Sequence, residues 1–293
     1  MFTAQDVKEL RERTGCGMMD CKKALTDASG DMEKAIEILR EKGLAKAAKK
    51  AGRIAAEGIV GSYVADDASV ASIIEVNSET DFVGKNPEFK SFVADLAEIV
   101  AKENPADVDA LKALPYTGSN LNVGEMLNEK ITTIGENINI RRFARFDGSV
   151  AAYIHGEGRI GVMVKFEGED ATAARDVAMH IAAINPLYTS KDSVPAEDVE
   201  KEKNIIIAQI KEDPKNANKP DQIIEKMVGG KINKFYEQNC LLEQAFVKDD
   251  SMSVAKYLES KGVKLIDTVR FEKGEGLEKK EDNFAEEVAS MMK

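Results

Sequence analysis

Three carboxylates and two histidines are the side chains whose types could bind a metal ion. Glu75, Glu79 and Asp81 lie in one short segment, and the two histidines are His155 and His180. A metal site needs three or four converging ligands. The carboxylates run from a strand pattern into a loop, and neither histidine has a second histidine nearby. The sequence therefore predicts no metal site and no cofactor.

The segment "GEGRIG" (156–161) has the glycine spacing of a dinucleotide-binding turn. That interpretation requires a strand before the glycines and a helix after them. The residues that follow, "IGVMVKFEG", alternate as a strand does, so the pattern predicts a hairpin turn. The sequence shows no Ser/His/Asp or Cys/His grouping and no phosphate-binding loop. It therefore favours a binding protein over an enzyme.

The charge and composition indicate a cytosolic protein that does not bind nucleic acid. The net charge of -11 is opposite to that of a surface that neutralises phosphates. The three cysteines form no framework, and neither a signal peptide nor a membrane span is predicted. One basic run, 42–53, is interpreted as a solvated helix face in preference to a docking site for an acidic partner.

The first fifty residues have the pattern of three helices. Thr3 with Asp6 caps the first, Gly30 ends the second, and Asp31 caps the third. Met18 and Met19 begin the second helix and admit two interpretations. They either fill the small core or form an adaptable contact surface for a partner.

A weak internal duplication follows at an offset of 90 residues. "GIVGSYV" (58–64) aligns with "GSVAAYI" (148–154), and "VASIIEV" (70–76) aligns with "IGVMVKF" (160–166). Each copy reads as a strand, a turn, a second strand and then a helix. Two related subdomains with antiparallel sheets and helices are therefore expected, which is an α+β fold.

The two copies differ between the second strand and the helix. The second copy passes through "EGED" into its helix, whereas the first inserts "NSETDFVGKN" (77–86) before Pro87. Because the template folds without this insertion, the insertion is expected to have a functional role. It contains the bulky apolar pair Phe82 and Val83 beside acidic residues.

The remaining sequence predicts a helical hairpin, a strand and a last helix. Pro195 and Pro220 each open a helical pattern, and the polar turn "EDPKNANKP" separates them. The strand is "KLIDTVRFEKG" (264–274). The expected apolar seam of the hairpin comprises Val199, Ile206, Ile210, Ile223, Ile224, Met227 and Ile232, and the last helix would place Phe284, Val288 and Met291 at helical spacing.

Two segments resemble the signature segments of the bacterial elongation factor Ts family: "LRERTGCGMMDCKKAL" (10–25) and "EVNSETDFVGKN" (75–86). Further similar segments occur in order along the whole chain, including "EKITTIGENINIRRF", "HGEGRIGVMV" and "EKMVGGKINKF". Gly84 stands where that family usually has Ala or Ser, and the hairpin turn is somewhat long.

The resemblance implies a guanine-nucleotide exchange factor for elongation factor Tu, and not an enzyme. It also implies five parts, with boundaries expected as follows: a ubiquitin-associated-like three-helix domain at 1–54, one core subdomain at 55–147, the other at 148–184 and 237–272, a coiled-coil hairpin at 185–236, and a C-terminal module at 273–293.

The resemblance also implies the residues that contact the partner. A loop of Thr80, Asp81, Phe82 and Val83 would enter the GTPase domain beside its Mg²⁺ and phosphate site, with Phe82 as a wedge and Val83 packed beside it. The N-terminal domain would contact the same GTPase domain, and the turn at His155 would contact a second domain. Secondary contact residues expected on this basis are Arg13, Met18, Met19, Lys23 and His155.

Three alternatives remain open from the sequence. A ubiquitin-associated-type adaptor would use the N-terminal helices and would not need Phe82. A metal-dependent enzyme would use Glu75, Glu79, Asp81 and His155. The coiled coil could contact the partner or a second copy of the chain, as in a homodimer within a 2:2 complex.

Overall fold

The computed structural model describes residues 2–14, 16–216 and 219–278. Its described residues divide into two compact units. The first unit is drawn from Met1–Asp147, Ile154–Met163 and Val269–Lys293, and the second from Gly148–Tyr153 and Val164–Thr268. The last predicted helix, with Phe284, Val288 and Met291, lies outside the described residues. Among the described helices, none has a stretch both long and apolar enough to cross a membrane.

Three helices open the chain, as predicted. Thr3 and Asp6 bond reciprocally, since the Thr3 amide donates to the Asp6 carboxylate and the Asp6 amide donates to Thr3 Oγ1. Asp31 accepts a hydrogen bond from the Lys34 amide at the start of the third helix. Leu10, Cys21, Leu25 and Leu39 are among the buried residues that join them. The helices are α1 (Ala4–Thr14), α2 (Met18–Asp27) and α3 (Met32–Lys50).

The first copy of the duplication forms an antiparallel sheet in the order β1-β2-β3. The middle strand β2 is buried along almost its whole length, and its polar residues Ser72, Glu75, Asn77 and Ser78 are buried together with the apolar ones. The strands are β1 (Glu57–Val64), β2 (Val70–Ser78) and β3 (Asn139–Asp147), and the helices between β2 and β3 are α4 (Asp81–Lys85), α5 (Pro87–Glu103), α6 (Val108–Ala113) and α7 (Val123–Ile134).

The second copy repeats this order of elements. A hairpin of β4 (Val150–His155) and β5 (Ile160–Glu167) turns through the 3₁₀ segment Gly156–Gly158. A helix follows, and a late strand completes the order β4-β5-β8. "GEGRIG" is therefore the predicted hairpin turn. The later elements are α8 (Ala171–Ile184), α9 (Ala196–Glu212), α10 (Asp221–Asn239), β6 (Ala245–Phe246), β7 (Asp249–Ser253), α11 (Val254–Ser260) and β8 (Lys264–Glu272). The predicted α+β class is confirmed.

The predicted hairpin is formed by α9 and α10 in the second unit. Ile206, Ile210 and Ile232 are buried between the two helices. Ile223 was predicted in the seam but is 45% exposed. It lies at the start of α10, where Ile224 is the residue that packs against the buried cluster.

The basic run 42–53 keeps its described Lys and Arg side chains exposed or half-buried, while another side of the helix is packed. Ala47 is buried in the same apolar cluster as Ile131 of α7. The Lys50 ammonium donates to the carbonyl of Gly135, just after α7. The C-terminal half of α3 therefore packs against α7 and only its other side faces solvent.

Candidate functional site

The insertion between β2 and α5 forms one turn of helix, α4, with Thr80 at its N-cap position. Asn86 ends this turn and also begins α5, where its side chain accepts a hydrogen bond from the Glu88 amide. Pro87 occupies the first turn of α5, a position where the missing amide hydrogen costs nothing. The insertion is therefore a short turn held between two regular elements.

Phe82 and Val83 differ sharply in their exposure to solvent. Phe82 is 75% exposed, whereas Val83 is 6% exposed and belongs to the main apolar cluster of the first unit. Successive residues of a helical turn differ by about 100° in direction, and both residues line one groove. The expectation that Val83 packs beside Phe82 against a partner stays a prediction. Val83 anchors the turn, and Phe82 is presented outward.

Gly84 lets the turn lie against β1. A Cβ atom at this position would stand 3.0 Å from the carbonyl oxygen of Gly58 and 3.2 Å from Cγ2 of Ile59. A side chain here would push the turn away from the strand unless the strand gave way slightly. The glycine therefore permits a close approach of backbone to backbone.

Two carboxylates hold the base of the turn by reciprocal hydrogen bonds. Glu136 accepts from the amides of Glu79 and Thr80, at 3.0 and 2.9 Å, and from the Thr80 hydroxyl at 2.6 Å. Glu79 in return accepts from the amide of Asn137 at 2.6 Å. Its carboxylate also pairs with Arg53 at 3.5 Å. The backbone entering α4 is thus fixed to the segment that follows α7.

Asp81 is paired within the turn. Its carboxylate lies 2.6 Å from Lys85 Nζ, an i,i+4 pair in which both side chains are substantially exposed. The hydrogen bond from Lys85 lowers the pKa of Asp81 below its ordinary value. The same ammonium lies 5.6 Å from the centre of the Phe82 ring. Lys85 therefore contacts both side chains expected to act on a partner.

A groove of about 570 Å³ joins the exposed ring to the N-terminal helices. Phe82 lies on its edge together with Arg13 at the end of α1 and Glu129 of α7. Arg13 pairs with Glu33 at 2.7 Å. Burial raises the pKa of Glu129, against the opposing effect of Lys130 and Arg40. The structure thus brings Arg13 and Phe82 to one surface.

The other expected contact residues of the N-terminal domain lie on α2. Met18 is 45% exposed and Met19 is 74% exposed, so neither belongs to the buried core. Lys23 is also exposed, whereas Cys21 on the same helix is buried. Of the two interpretations of the methionines, the structure favours the contact surface.

The two histidines lie in different surroundings. His155 is exposed at the end of β4, beside the turn. His180 is fully buried in α8, where Nδ1 accepts from the Val247 amide and Nε2 faces Gln244 Oε1 at 2.9 Å. Burial lowers the pKa of His180. His180 is therefore a packed, hydrogen-bonded histidine.

Glu75, a candidate metal ligand, is instead the centre of a buried ionic network. Its carboxylate accepts from Arg141 at 3.0 Å and from Arg142 at 2.7 Å. It also accepts from the Gly274 amide at 2.8 Å and from the Asn77 side chain at 3.1 Å. Oε1 accepts three of these four hydrogen bonds and Oε2 accepts one, and two of the donors are cationic guanidinium groups.

Sequence reasoning missed two residues of the site, Glu136 and Lys85. Glu136 lies far from the turn in the chain, and only the register of β2 with β3 brings its segment to Thr80. Lys85 follows Asp81 at the i,i+4 spacing of a helical ion pair, so its role was readable once the turn was taken as helical. Treating the insertion as a loop hid that spacing.

The site therefore presents an exposed aromatic ring on a turn that is fixed from both sides. Comparison with known proteins gives the family. The model of the family described as Elongation factor TS matches residues 79–275. The chain is similar to proteins named Elongation factor Ts from Clostridium perfringens (54% identical, covering 99% of each chain), Clostridium kluyveri (52%, 98% of each) and Syntrophotalea carbinolica (51%, 100% of this chain and 99% of the other).

This chain therefore belongs to the elongation factor Ts family. That membership gives it a role as a translation elongation factor.

Proposed function

We propose that the chain is a guanine-nucleotide exchange factor that binds elongation factor Tu in its GDP form and accelerates GDP release. The observation that carries the proposal is the position of Phe82, three-quarters exposed on a turn that Val83 and Glu136 hold in place. A large apolar ring held out to solvent on rigid backbone loses little conformational freedom on binding. Such a residue fits the role of a wedge.

The mechanism is a linkage between two ligands of the GTPase. GDP and Mg²⁺ stabilise one arrangement of the switch and phosphate-binding loops. A protein that prefers the nucleotide-free arrangement lowers the affinity of the GTPase for GDP. GDP lowers the affinity of the GTPase for that protein by the same factor. The chain makes and breaks no bond, so it is not an enzyme. It acts through the difference between its affinities for the GDP-bound and the nucleotide-free arrangements.

Each residue of the turn has a role in this proposal. Phe82 enters the GTPase domain near the Mg²⁺ and phosphate site, where its ring occupies space that the GDP-bound arrangement needs. Asp81, kept ionised by Lys85, brings a negative charge close to that site. Thr80 fixes the backbone through Glu136. Val83 holds the turn in place by packing into the apolar cluster of the first unit.

The remaining contacts follow the groove and the N-terminal helices. Arg13 shares the groove with Phe82, and Met18, Met19 and Lys23 are exposed on α2. We assign these residues to the same GTPase domain, and the turn at His155 to a second domain of the partner. In this proposal the chain divides at the boundaries expected from the sequence, and α9 with α10 serves the partner or a second copy.

Measured affinities test the linkage directly. Titration of the chain against nucleotide-free elongation factor Tu and against its GDP complex should give a much tighter constant for the nucleotide-free form. The chain should lower the affinity of elongation factor Tu for GDP by the ratio of these two constants. Equal affinities for the two forms would contradict the proposal, because a ligand without a preference shifts no equilibrium.

Loss of the Glu136 clamp should slow exchange without unfolding the chain. Glu136→Gln keeps the shape but removes the charge that accepts three hydrogen bonds. We expect the acceleration of GDP release to fall by about tenfold, since a hydrogen bond to a charged group contributes about 1.5–3 kcal/mol. Stopped-flow release of fluorescent GDP measures it.

A matched pair at Thr80 separates the clamp from a general loss of stability. Thr80→Ser keeps the hydroxyl that donates to Glu136 and should exchange nearly as well as the original chain. Thr80→Val keeps the bulk and loses the donor, so it should resemble Glu136→Gln. Equal exchange by the serine and valine variants would show that the clamp does not matter.

A further inference from the structure

A second groove lies on the first unit, away from Phe82, between α3 and α7. It encloses about 520 Å³. We call it the α3 groove. Its apolar lining includes Leu44, Ala48, Ala51, Ile131, Ile138 and Leu277.

The α3 groove has an apolar floor and a basic edge. Ile131 and Ile138 are buried at its base, whereas Leu44 is 53% exposed on its side. The segment 42–53 that forms this side contains five Lys and Arg residues and no acidic one. A segment that covers the groove should therefore combine apolar and acidic side chains.

The described chain ends at this groove. Leu277 lines it, and Glu278 is the last described residue. The segment that leads to Leu277 is held in place, because the Gly274 amide donates to Glu75 and the Arg141 guanidinium donates to the carbonyl of Glu275. Arg141 is itself part of the lining. The fifteen residues 279–293 therefore start from an anchored point at the groove.

The sequence of that terminal segment matches the groove in chemistry and length. Phe284, Val288 and Met291 recur at the spacing of one helical face. Four acidic residues lie in 281–287, against three lysines in the whole segment. A helix over 283–293 would be about 16 Å long, and the α3 edge from Leu44 to Ala51 is about 10 Å long. The six residue-to-residue steps from 278 to 284 span about 20 Å when extended.

We propose that the C-terminal segment of this same chain docks in the α3 groove, with Phe284, Val288 and Met291 on the apolar floor and its acidic side chains towards the basic edge. This contact ties the C-terminus to the N-terminal helices. It does not depend on the exchange function, because it needs neither elongation factor Tu nor nucleotide.

The test uses the absence of tryptophan from the sequence. In the full-length chain, Phe284→Trp introduces a single reporter on the proposed buried face. Its emission should be blue-shifted relative to the same residue in an isolated 279–293 peptide, and protected from an added quencher. Glu286→Trp, on the opposite face of the segment, is the control and should emit as in the peptide. A peptide-like spectrum for Phe284→Trp would overturn the proposal.

Two variants on α3 locate the contact. Ala48→Glu places a negative charge in the groove and should move the Phe284→Trp emission towards the peptide value. Ala45→Glu, on the same helix but outside the lining, should leave the emission unchanged. Ala48→Glu should also lower the melting temperature of the full-length chain more than that of residues 1–278. Equal effects in both chains would contradict the docking.

Other occupants give different results. A blue shift that disappears on dilution, together with dimers in sedimentation, would assign the groove to a second copy and overturn the intramolecular contact. A reporter that becomes buried only when elongation factor Tu is added would assign it to the partner. A shift that is independent of concentration and of partner supports the proposal.

Discussion

Phe82→Ala should remove nearly all acceleration of GDP release while leaving the fold intact. The ring is 75% exposed, so its truncation opens no cavity in the chain. At an interface, a central aromatic residue of this kind contributes about 2–4 kcal/mol, which corresponds to a loss of about 30- to 1,000-fold. Stopped-flow measurement of fluorescent GDP release, at a series of concentrations of the variant, gives the loss.

Two control variants distinguish the specific role of Phe82 from the loss of any exposed apolar side chain and from a loss of fold stability. Leu187→Ala truncates an equally apolar side chain that is 68% exposed in the second unit, and it should exchange normally. Val83→Ala removes part of a buried side chain, so it should lower the melting temperature. Phe82→Ala should leave the melting temperature unchanged. If Phe82→Ala accelerated GDP release as fast as the unsubstituted chain, at an unchanged melting temperature, the role of Phe82 as a wedge would be contradicted.

Glu75→Ala should cause the largest loss of stability. The change leaves Arg141 and Arg142 without the carboxylate to which they donate, and it leaves the Gly274 amide without an acceptor. Breaking a buried ion pair by removing one partner costs about 3–5 kcal/mol. Urea unfolding, followed by amide hydrogen exchange in β2, measures this loss in the first unit.

Glu57→Gln is the matched control for that loss. Glu57 lies on the neighbouring strand β1 and pairs with Lys273, but it is partly exposed. Exposed ion pairs contribute at most about 1 kcal/mol, so this variant should be nearly as stable as the original chain. Similar losses for Glu75→Ala and Glu57→Gln would show that the buried network is not the main support of this region.

The same network predicts a dependence on acid. Burial alone would raise the pKa of Glu75, but the hydrogen bonds from Gly274, Asn77, Arg142 and Arg141 outweigh it and lower the pKa. A lowered pKa stabilises the fold above the pKa of the unfolded carboxyl, about 4.3, and this contribution is lost as the pH falls through the lower value of the folded state. Below about pH 4 the original chain should therefore lose its stability advantage over Glu75→Gln. A constant difference between pH 7 and pH 3 would contradict this assignment.

Much of the fold was predictable because its patterns are local. The caps at Thr3 and Asp31 and the helix starts after Pro195 and Pro220 are signals within a few residues. The duplication predicted two strand–turn–strand–helix units, and both exist. The third strand of the first sheet, β3, was not predicted. Its alternation is interrupted by the adjacent Arg141 and Arg142, both of which pair with Glu75 on the neighbouring strand.

The candidate site was only partly predictable. The comparison of the two copies identified the insertion, and the family resemblance singled out Phe82 within it. The direction of Val83 and the pairing of Asp81 with Lys85 depended on recognising one turn of helix in a segment read as a loop. The clamp at Glu136 comes from long-range packing, for which no spacing in the sequence gives a signal.

The packing of α3 illustrates the same limit. The sequence analysis interpreted the basic run 42–53 as a solvated helix face. In the structure Ala47 contributes to the apolar cluster of the sheet, and α3 packs on α7. Alternate alanines on a lysine-rich helix are compatible with either a solvated or a packed face, and only the neighbouring helix decides between them.

The most direct test of the account is the rate at which fluorescent GDP leaves elongation factor Tu, with and without this chain. The account predicts a rate that rises with the concentration of the chain to a plateau far above the spontaneous rate. It also predicts that Phe82→Ala gives almost no rise. A rate that stays at the spontaneous value at saturating concentrations of the folded chain would contradict it.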